Sequence, residues 1–449
     1  MKMKKFLSLC LAATMTVGVL GGCGDGGSGG SNGGNDGGNS SGGVEEITFM
    51  VWDDLDASSD LISQGYKQSI DRFNKDYEGK YHVKVVSTAL EDYYTKLNAE
   101  VAANNTPDVF IVSPGANLDD YVIPGTAAKL DEYLNADGWK GTFTSDAVFA
   151  GGTYGAEAKD GAGIYAIPLN IAAACVFYNT EMFEDAGAKV PKTYSELLDA
   201  CKKLDAKGYT PITISAGTAW CLSMVAGYLC DRNGLNLDDV AEKKTDWYDP
   251  KVIKAAEQIQ ELSQYFQPTA DADDNDVATA GFYNGEAAIL IQGSWAIGQI
   301  NGSCEPGFEK KVGVFAFPAV DGSSADPNRV IAKSDSLAMS STSQHKDAAI
   351  ALIKYFVDDT AQKYTAEKGG KIPVTKVQYD ESVAPPELAY VMDVFKSANS
   401  TFGFYNESLA TTEAGSTFDS CFVNIFLGDD PKEALKPIQE YYEANVWNK

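Results

Sequence analysis

The strongest pattern of apolar and polar positions lies between Ile164 and Leu204. A short apolar strand, Tyr165–Ile167, runs into a proline, and a second apolar run, Ile171–Tyr178, reaches Asn179 and a turn. Thr193-Tyr194-Ser195-Glu196 then spells a capping box, in which hydroxyl and carboxylate each satisfy a free backbone N–H. Leu197, Leu198, Cys201 and Leu204 recur at helical spacing and give that helix one face to bury. Strand, crossing, strand and helix predict an α/β domain.

Upstream, the pattern predicts a strand over Glu45–Val51 that ends at Trp52-Asp53-Asp54. Ile62, Tyr66, Ile70, Phe73 and Tyr77 form one face of a helix, and Tyr81–Ser87 is a second strand. A helix over 88–103 and a turn at Asn104–Asp108 lead to a buried strand, Val109–Val112. This is a βαβ succession. Downstream come a strand at Thr210–Ser215, an apolar helix at Trp220–Leu229 and an amphipathic helix within Tyr248–Phe266. Further on lie an apolar strand ending in Gly293-Ser294-Trp295, a strand at Asp335–Ser340 and a helix at Lys346–Val357. Pro437 must interrupt or kink the last helical region, Pro431–Trp447.

The first residues change the picture. Met-Lys-Met-Lys-Lys, the apolar run Phe6–Val17 and small residues before Cys23 describe a secretory signal over 1–22. The run is shorter than the ~20 residues a membrane span needs. Residues 24–43 are almost wholly Gly, Ser, Asn and Asp, a composition too polar to bury a core, and predict a tether with a span of roughly 25 Å. Without the signal's three lysines the chain carries 33 basic against 63 acidic residues, a net charge of −30. Such a chain is repelled by nucleic acid and anionic membrane surfaces. The remainder exceeds the ~250–300 residues at which one core divides, so two lobes are expected.

The order of these elements resembles a known family. The run from Ile164 to Leu204, the element Phe282-Tyr283-Asn284-Gly285-Glu286-Ala287-Ala288 leading to Gly293-Ser294-Trp295, Val312–Pro318 and Lys368–Pro373 together resemble the extracellular solute-binding proteins of ABC transporters. This is family 1, the sugar-binding, maltose-binding-protein-like lipoproteins. The resemblance spans nearly the whole mature chain. It implies a two-lobed α/β fold of the periplasmic-binding-protein type II, with a cleft between lobes and several hinge crossings. One lobe would be 44–168 plus 314–371, the other 172–312 plus 374–449. Leu20-Gly21-Gly22-Cys23 resembles a lipobox, which implies a lipid on Cys23.

Catalytic patterns fare poorly. A G-x-S-x-G and a G-x-G-x-x-G both fall in the tether, away from the strand and helix that their chemistries require. His82 sits in a strand pattern, and His345 stands just before an exposed helix face. Six scattered cysteines remain beyond Cys23 without a C-x-x-C, and read as small buried residues. Asp271–Asp276 lacks the glycine and the terminal acid of an EF-hand loop. Neither enzyme activity, cofactor nor metal is expected.

A sugar presents C–H faces that pack on aromatic rings and hydroxyls that need planar donors and acceptors. In open α/β sheets such groups sit beyond the C-terminal ends of strands. Trp52, Asp53 and Asp54 end the first strand; Asn117 and Asp119 lie beyond Val109–Val112; Trp295 ends the Gly-Ser-Trp strand. The resemblance gives Asp54 hydroxyl contacts, Asn170 a polar contact at the first crossing, Trp295 an aromatic floor and Trp220 a second aromatic. It also carries over Glu91, Asp335 and Tyr405. The function it implies is a monomeric, membrane-anchored receptor on the outer face of a Gram-positive cell. That receptor captures a carbohydrate, an oligosaccharide by preference, through hinge closure and passes it to ABC permease subunits. Two alternatives stand beside it: the same fold binding a polyamine or peptide, and an extracellular glycan-acting enzyme, which lacks catalytic motifs here.

Overall fold

The computed structural model describes residues 43–448; the signal, Cys23 and the tether up to residue 42 lie outside the described residues. The chain first lays down β1 (Glu45–Val51), β2 (Tyr81–Ser87) and β3 (Val109–Val112), all parallel, with β1 between the other two. Helices Leu61–Asp76 and Leu90–Ala102 form the crossovers. Asp60 caps the first of these through Ser63 N–H, and its Ile62, Tyr66, Ile70 and Phe73 are buried. A small hairpin follows, β4 (Thr153–Tyr154) with β5 (Gly163–Ile164), and then β6 (Ala166–Pro168).

After Asn170 the chain crosses into a second sheet, with β7 (Ala172–Asn179), β8 (Thr210–Thr213) and β9 (Ala287–Gly293). Here β7 pairs antiparallel with β9, and β9 pairs parallel with β8. The capping box forms as expected: Thr193 and Glu196 satisfy each other's backbone at the start of helix Tyr194–Ala206. Asn179 does not open a turn but caps another helix, Thr180–Ala186, with its Oδ1 accepting from two N–H groups. An asparagine after a strand serves either structure.

β10 (Val312–Phe315) and β11 (Arg329–Lys333) both pair antiparallel with β7, in the second sheet. This corrects the lobe boundary placed at 314. The apolar run there reads equally as a strand of either sheet, and only its pairing decides. The return comes one strand later, at β12 (Ser336–Met339), which joins β3 and β6 in the first sheet. A third crossing follows helices Lys346–Val357 and Asp359–Glu367, where Ile372 exchanges backbone hydrogen bonds with Ile171 of the first crossing at 2.8 and 3.2 Å. β13 (Ser400–Phe402) completes the second sheet beside β11. The last helices are Pro431–Ala434 and Lys436–Asn445, broken beside Pro437.

Each lobe has its own core. One gathers β1, β3, β6, β12 and the faces of their helices; the other is built on β7, β8, β9 and helices Ala219–Arg232 and Thr412–Phe426. Five of the six described cysteines are buried, and no disulfide joins any two of the six, consistent with a packing role.

Candidate functional site

The lobes meet along two rims. Ser59 Oγ of the first lobe lies 2.8 Å from Ser303 Oγ of the second. At the same rim a Cβ on Gly302 would fall 2.2 Å from Ser59 O, so only glycine permits the approach. At the other rim Thr412 Oγ1 donates to Asp120 Oδ2 at 3.2 Å. Gly115, with φ of 76°, abuts the Glu407 carbonyl so closely that a Cβ would lie 2.2 Å from it.

Between these rims a polar cluster forms on the first lobe. Asn170 is 1% exposed, and its Oδ1 has no hydrogen-bond partner among the described residues. Its amide faces Tyr66, whose phenol is held well above its usual value by burial first, then by Asp335, Asp53 and Asp60. Asp53, half-buried, is pushed up to about 7 by burial first and by Asp60, with Asp276 of the second lobe adding to the effect; Ser63 and Lys371 oppose it. Asp60 Oδ2 is committed to Ser63, and Oδ1 is buried without a partner.

Beside this cluster one cation ties the lobes together. Lys333 Nζ, at the end of β11, lies 3.1 Å from Glu407 Oε1, 3.4 Å from Asp335 Oδ1 and 3.3 Å from Ser113 Oγ. Ser113 and Asp335 belong to the first lobe, Lys333 and Glu407 to the second. Burial acts to lower the lysine, but Asp335 and Glu407 outweigh it and hold the ammonium above its usual range. Burial raises Glu407 in spite of the lysine.

The second lobe contributes an aromatic wall. Trp220 and Trp295 meet edge to face with centroids 5.9 Å apart, and each packs on Phe404, at 6.0 and 5.7 Å. Trp220 stands at the start of its helix, just past β8, and Trp295 just past β9. Trp295 Nε1 donates to Gln292 Oε1 at 2.5 Å, whereas Trp220 Nε1 is buried without a partner. Lys333 lies 5.0 Å above the Phe404 ring, so wall and ion cluster adjoin.

Of the residues singled out from sequence, the fold brings together Asp53, Asn170 and Asp335 in the polar cluster and Trp220 with Trp295 in the wall. Trp52 packs edge-on against Tyr93 at 5.3 Å. Asp54 is exposed, and its Oδ1 accepts from the N–H groups of Asp56 and Ala57 in a turn. Asn117 and Asp119 share helix Ala116–Val122; Asp119 accepts from Tyr154 Oη at 2.7 Å, and burial raises its carboxyl. Tyr405 is 3% exposed inside the second-lobe core, between Phe402 and Phe418. Its neighbours Phe404 and Glu407 reach the boundary instead. Glu91 falls in helix Leu90–Ala102, its side chain outside the described residues.

Sequence reasoning missed Tyr66, Lys333, Phe404, Glu407 and Lys371. Only Lys333 left a signal, a lone cation two positions before Asp335 at the end of an apolar strand. The arrangement offers ring faces and hydrogen-bonding groups from both lobes, a combination suited to a polar, hydroxyl-rich molecule. Among the described residues no three His, Cys, Asp or Glu side chains are placed to hold a metal ion. No described helix is long and apolar enough to cross a membrane.

Residues 58–363 match the family model for bacterial extracellular solute-binding protein. The chain is 28% identical over 332 residues to the multiple sugar-binding protein of Streptococcus mutans, covering 69% of this chain and 72% of that one. A solved structure from work on xylan utilization by the thermophilic bacterium Caldanaerobius polysaccharolyticus superposes with a TM-score of 0.79 at 26% identity, over 88% of this chain and 99% of the other. A chitin oligosaccharide binding protein superposes with a TM-score of 0.80 at 24% identity, over 89% and 98%.

Proposed function

The chain belongs to the bacterial extracellular solute-binding protein family, and from that membership we propose that it captures a carbohydrate between its lobes and delivers it to an ABC permease. The observation that carries the ligand class is the Trp220–Trp295–Phe404 wall set against polar groups from both lobes. Stacked rings take the C–H faces of a sugar, and the surrounding amides and carboxyls take its hydroxyls. The names of similar proteins support the same class: multiple sugars in one, chitin oligosaccharide in another.

In this reading Trp220 and Trp295 form the floor, and Asp53, Asn170 and Asp335 bind hydroxyls from the first lobe. Asn117 and Asp119 stand at its edge. Ligand contacts from both lobes stabilise the shut state, and only that differential contact shifts the equilibrium. A lipid on Cys23 and the Gly-rich tether would hold the receptor at the outer face of the membrane.

Isothermal titration of the purified protein against mono- and oligosaccharides, with Trp295→Ala alongside, tests the ligand class. The expected result is micromolar binding of one sugar class that the variant loses. Binding of a polyamine or peptide in place of every sugar would leave the fold and overturn the ligand. Release of the Cys23→Ala protein into the medium would support the anchor.

A further inference from the structure

Lys371 stands on the third crossing and is 5% exposed, in a chain with 63 acidic residues, yet its ammonium has no hydrogen-bond or ion-pair partner among the described residues. Nor is that ammonium one of the buried atoms shut off from solvent. The stem is buried, and the head opens on a polar space. The backbone fixes where the side chain starts. Gly369 abuts Ile62 of the first lobe and Gly370, at φ of 66°, abuts Ile297 of the second, so closely that a Cβ on either would collide. Lys371 N–H donates to the Thr365 carbonyl at 3.2 Å, and the next residue, Ile372, pairs antiparallel with Ile171. Asn170 and Lys371, each one residue before its isoleucine, therefore share a face of this ribbon as diagonal neighbours, roughly 7–8 Å apart. A second observation points the lysine the same way: its charge acts on Asp53, against Asp60 and Asp276.

An ammonium taken out of water without a partner is costly, and so is an unpaired amide oxygen. Lys333, the other cation at the boundary, has three partners in Glu407, Asp335 and Ser113. Lys371 has none, and Asn170 Oδ1 on the same face has none either. A donor and an acceptor side by side, neither bonded to protein, call for a group that accepts from one and donates to the other. A hydroxyl does both with a single oxygen. A second ammonium there would meet Lys371, and a carboxylate would meet Asp53 and Asp60.

We propose that Lys371 is a specificity-determining residue of the cleft: its ammonium donates to one hydroxyl oxygen of an uncharged sugar, while Asn170 Oδ1 accepts from that hydroxyl or its neighbour. This rests on the carbohydrate reading above. Because the lysine stands on a crossing between lobes, the hydroxyl it reads is held at the hinge, and the rest of the sugar extends from there toward the tryptophans.

The test is isothermal titration of the wild type, Lys371→Met and Trp295→Ala against neutral oligosaccharides, followed by the singly deoxygenated forms of the tightest binder. Lys371→Met is expected to bind the parent sugar about 10- to 100-fold more weakly, the range for a hydrogen bond from a charged donor. The deoxy form that lacks the contacted hydroxyl should bind wild type and variant equally, whereas every other deoxy form keeps the gap between them. Without ligand the variant should unfold at the same urea concentration as wild type or a higher one, since an unpaired buried charge has been removed. Should Lys371→Met fail to fold, Lys371→Gln is titrated against the same deoxy series, and the same single form must close its gap. Wild-type affinity in the lysine variant, with binding lost in Trp295→Ala, overturns the role of Lys371 and leaves the receptor reading intact. A loss spread evenly over all deoxy forms, as a merely structural lysine would give, also overturns it. Binding of no sugar by the wild type overturns both readings.

Discussion

Ser59 Oγ and Ser303 Oγ, 244 residues apart in sequence and on opposite lobes, lie 2.8 Å from each other. The contact exists because Gly302, next to Ser303, lets helix Ala296–Ser303 rest on the Ser59 carbonyl. A side chain at 302 would wedge the rim while leaving each lobe's core untouched. Gly302→Val is therefore expected to retain its thermal midpoint within a few degrees, to show a larger radius of gyration by solution scattering and to bind ligand about 10- to 100-fold more weakly. An unchanged radius would show that the rim does not control closure.

Removing the cation at the boundary leaves two partly buried acids, Asp335 and Glu407, without their shared partner. Lys333→Met should lower stability to urea by roughly 1–3 kcal/mol, between the values for exposed and fully buried pairs that lose one partner. Lys333→Met combined with Glu407→Gln should recover most of that loss. If the single variant is as stable as wild type, the Lys333–Glu407 contact contributes nothing.

Closure is expected to take up a proton. Burial first, then Asp60 of the same lobe and least Asp276 of the second lobe raise Asp53 to about 7, and the burial and the Asp276 influence weaken when the lobes part. The shut state then binds the proton more tightly than the open one, so closing becomes more favourable as pH falls through 7 toward the ordinary carboxylate range. Titration near pH 7 in buffers of different ionisation enthalpy should show net proton uptake on ligand binding, absent in Asp53→Asn. Equal heats in all buffers would refute this.

A second carboxyl affects stability rather than closure. Glu387 is fully buried, its Oε1 is unpartnered, and burial pushes it up to about 7, against Asn301 and with a further push from Glu309. Its folded value lies above its unfolded one, so the folded state holds the extra proton and stability falls as pH rises from about 4.5 through 7. Glu387→Gln should gain up to roughly 3 kcal/mol at pH 8 and nothing at pH 4 in urea unfolding. A pH-independent effect would point to packing instead.

The sheets were legible where local pattern and global pairing agree. β1, β2 and β3 have the bounds that alternation and apolar runs indicate, and the Thr193–Glu196 box forms because its two bonds are local. The assignment of residues 314–333 failed because an apolar strand carries no mark of its sheet. Trp220 and Trp295 were readable as strand-end aromatics. Phe404 was not, since more than a hundred residues separate it from Trp295 and it stands in no motif. Tyr405 shows the converse: its short helix does reach the boundary, but through Phe404 and Glu407, while the tyrosine points into the core.

The hydrogen bonds between Ile171 and Ile372 bear on how such a molecule moves. Two linkers joined to each other behave as a ribbon, which flexes across its width and resists slippage along its length. Under the hinge closure proposed above, the lobes would swing about a nearly fixed axis, as a door does, instead of sliding past one another. A ligand of the wrong length or shape would then not be accommodated by a sideways shift. On that reading it would stop the swing part-way, so that the extent of rotation itself would register the fit.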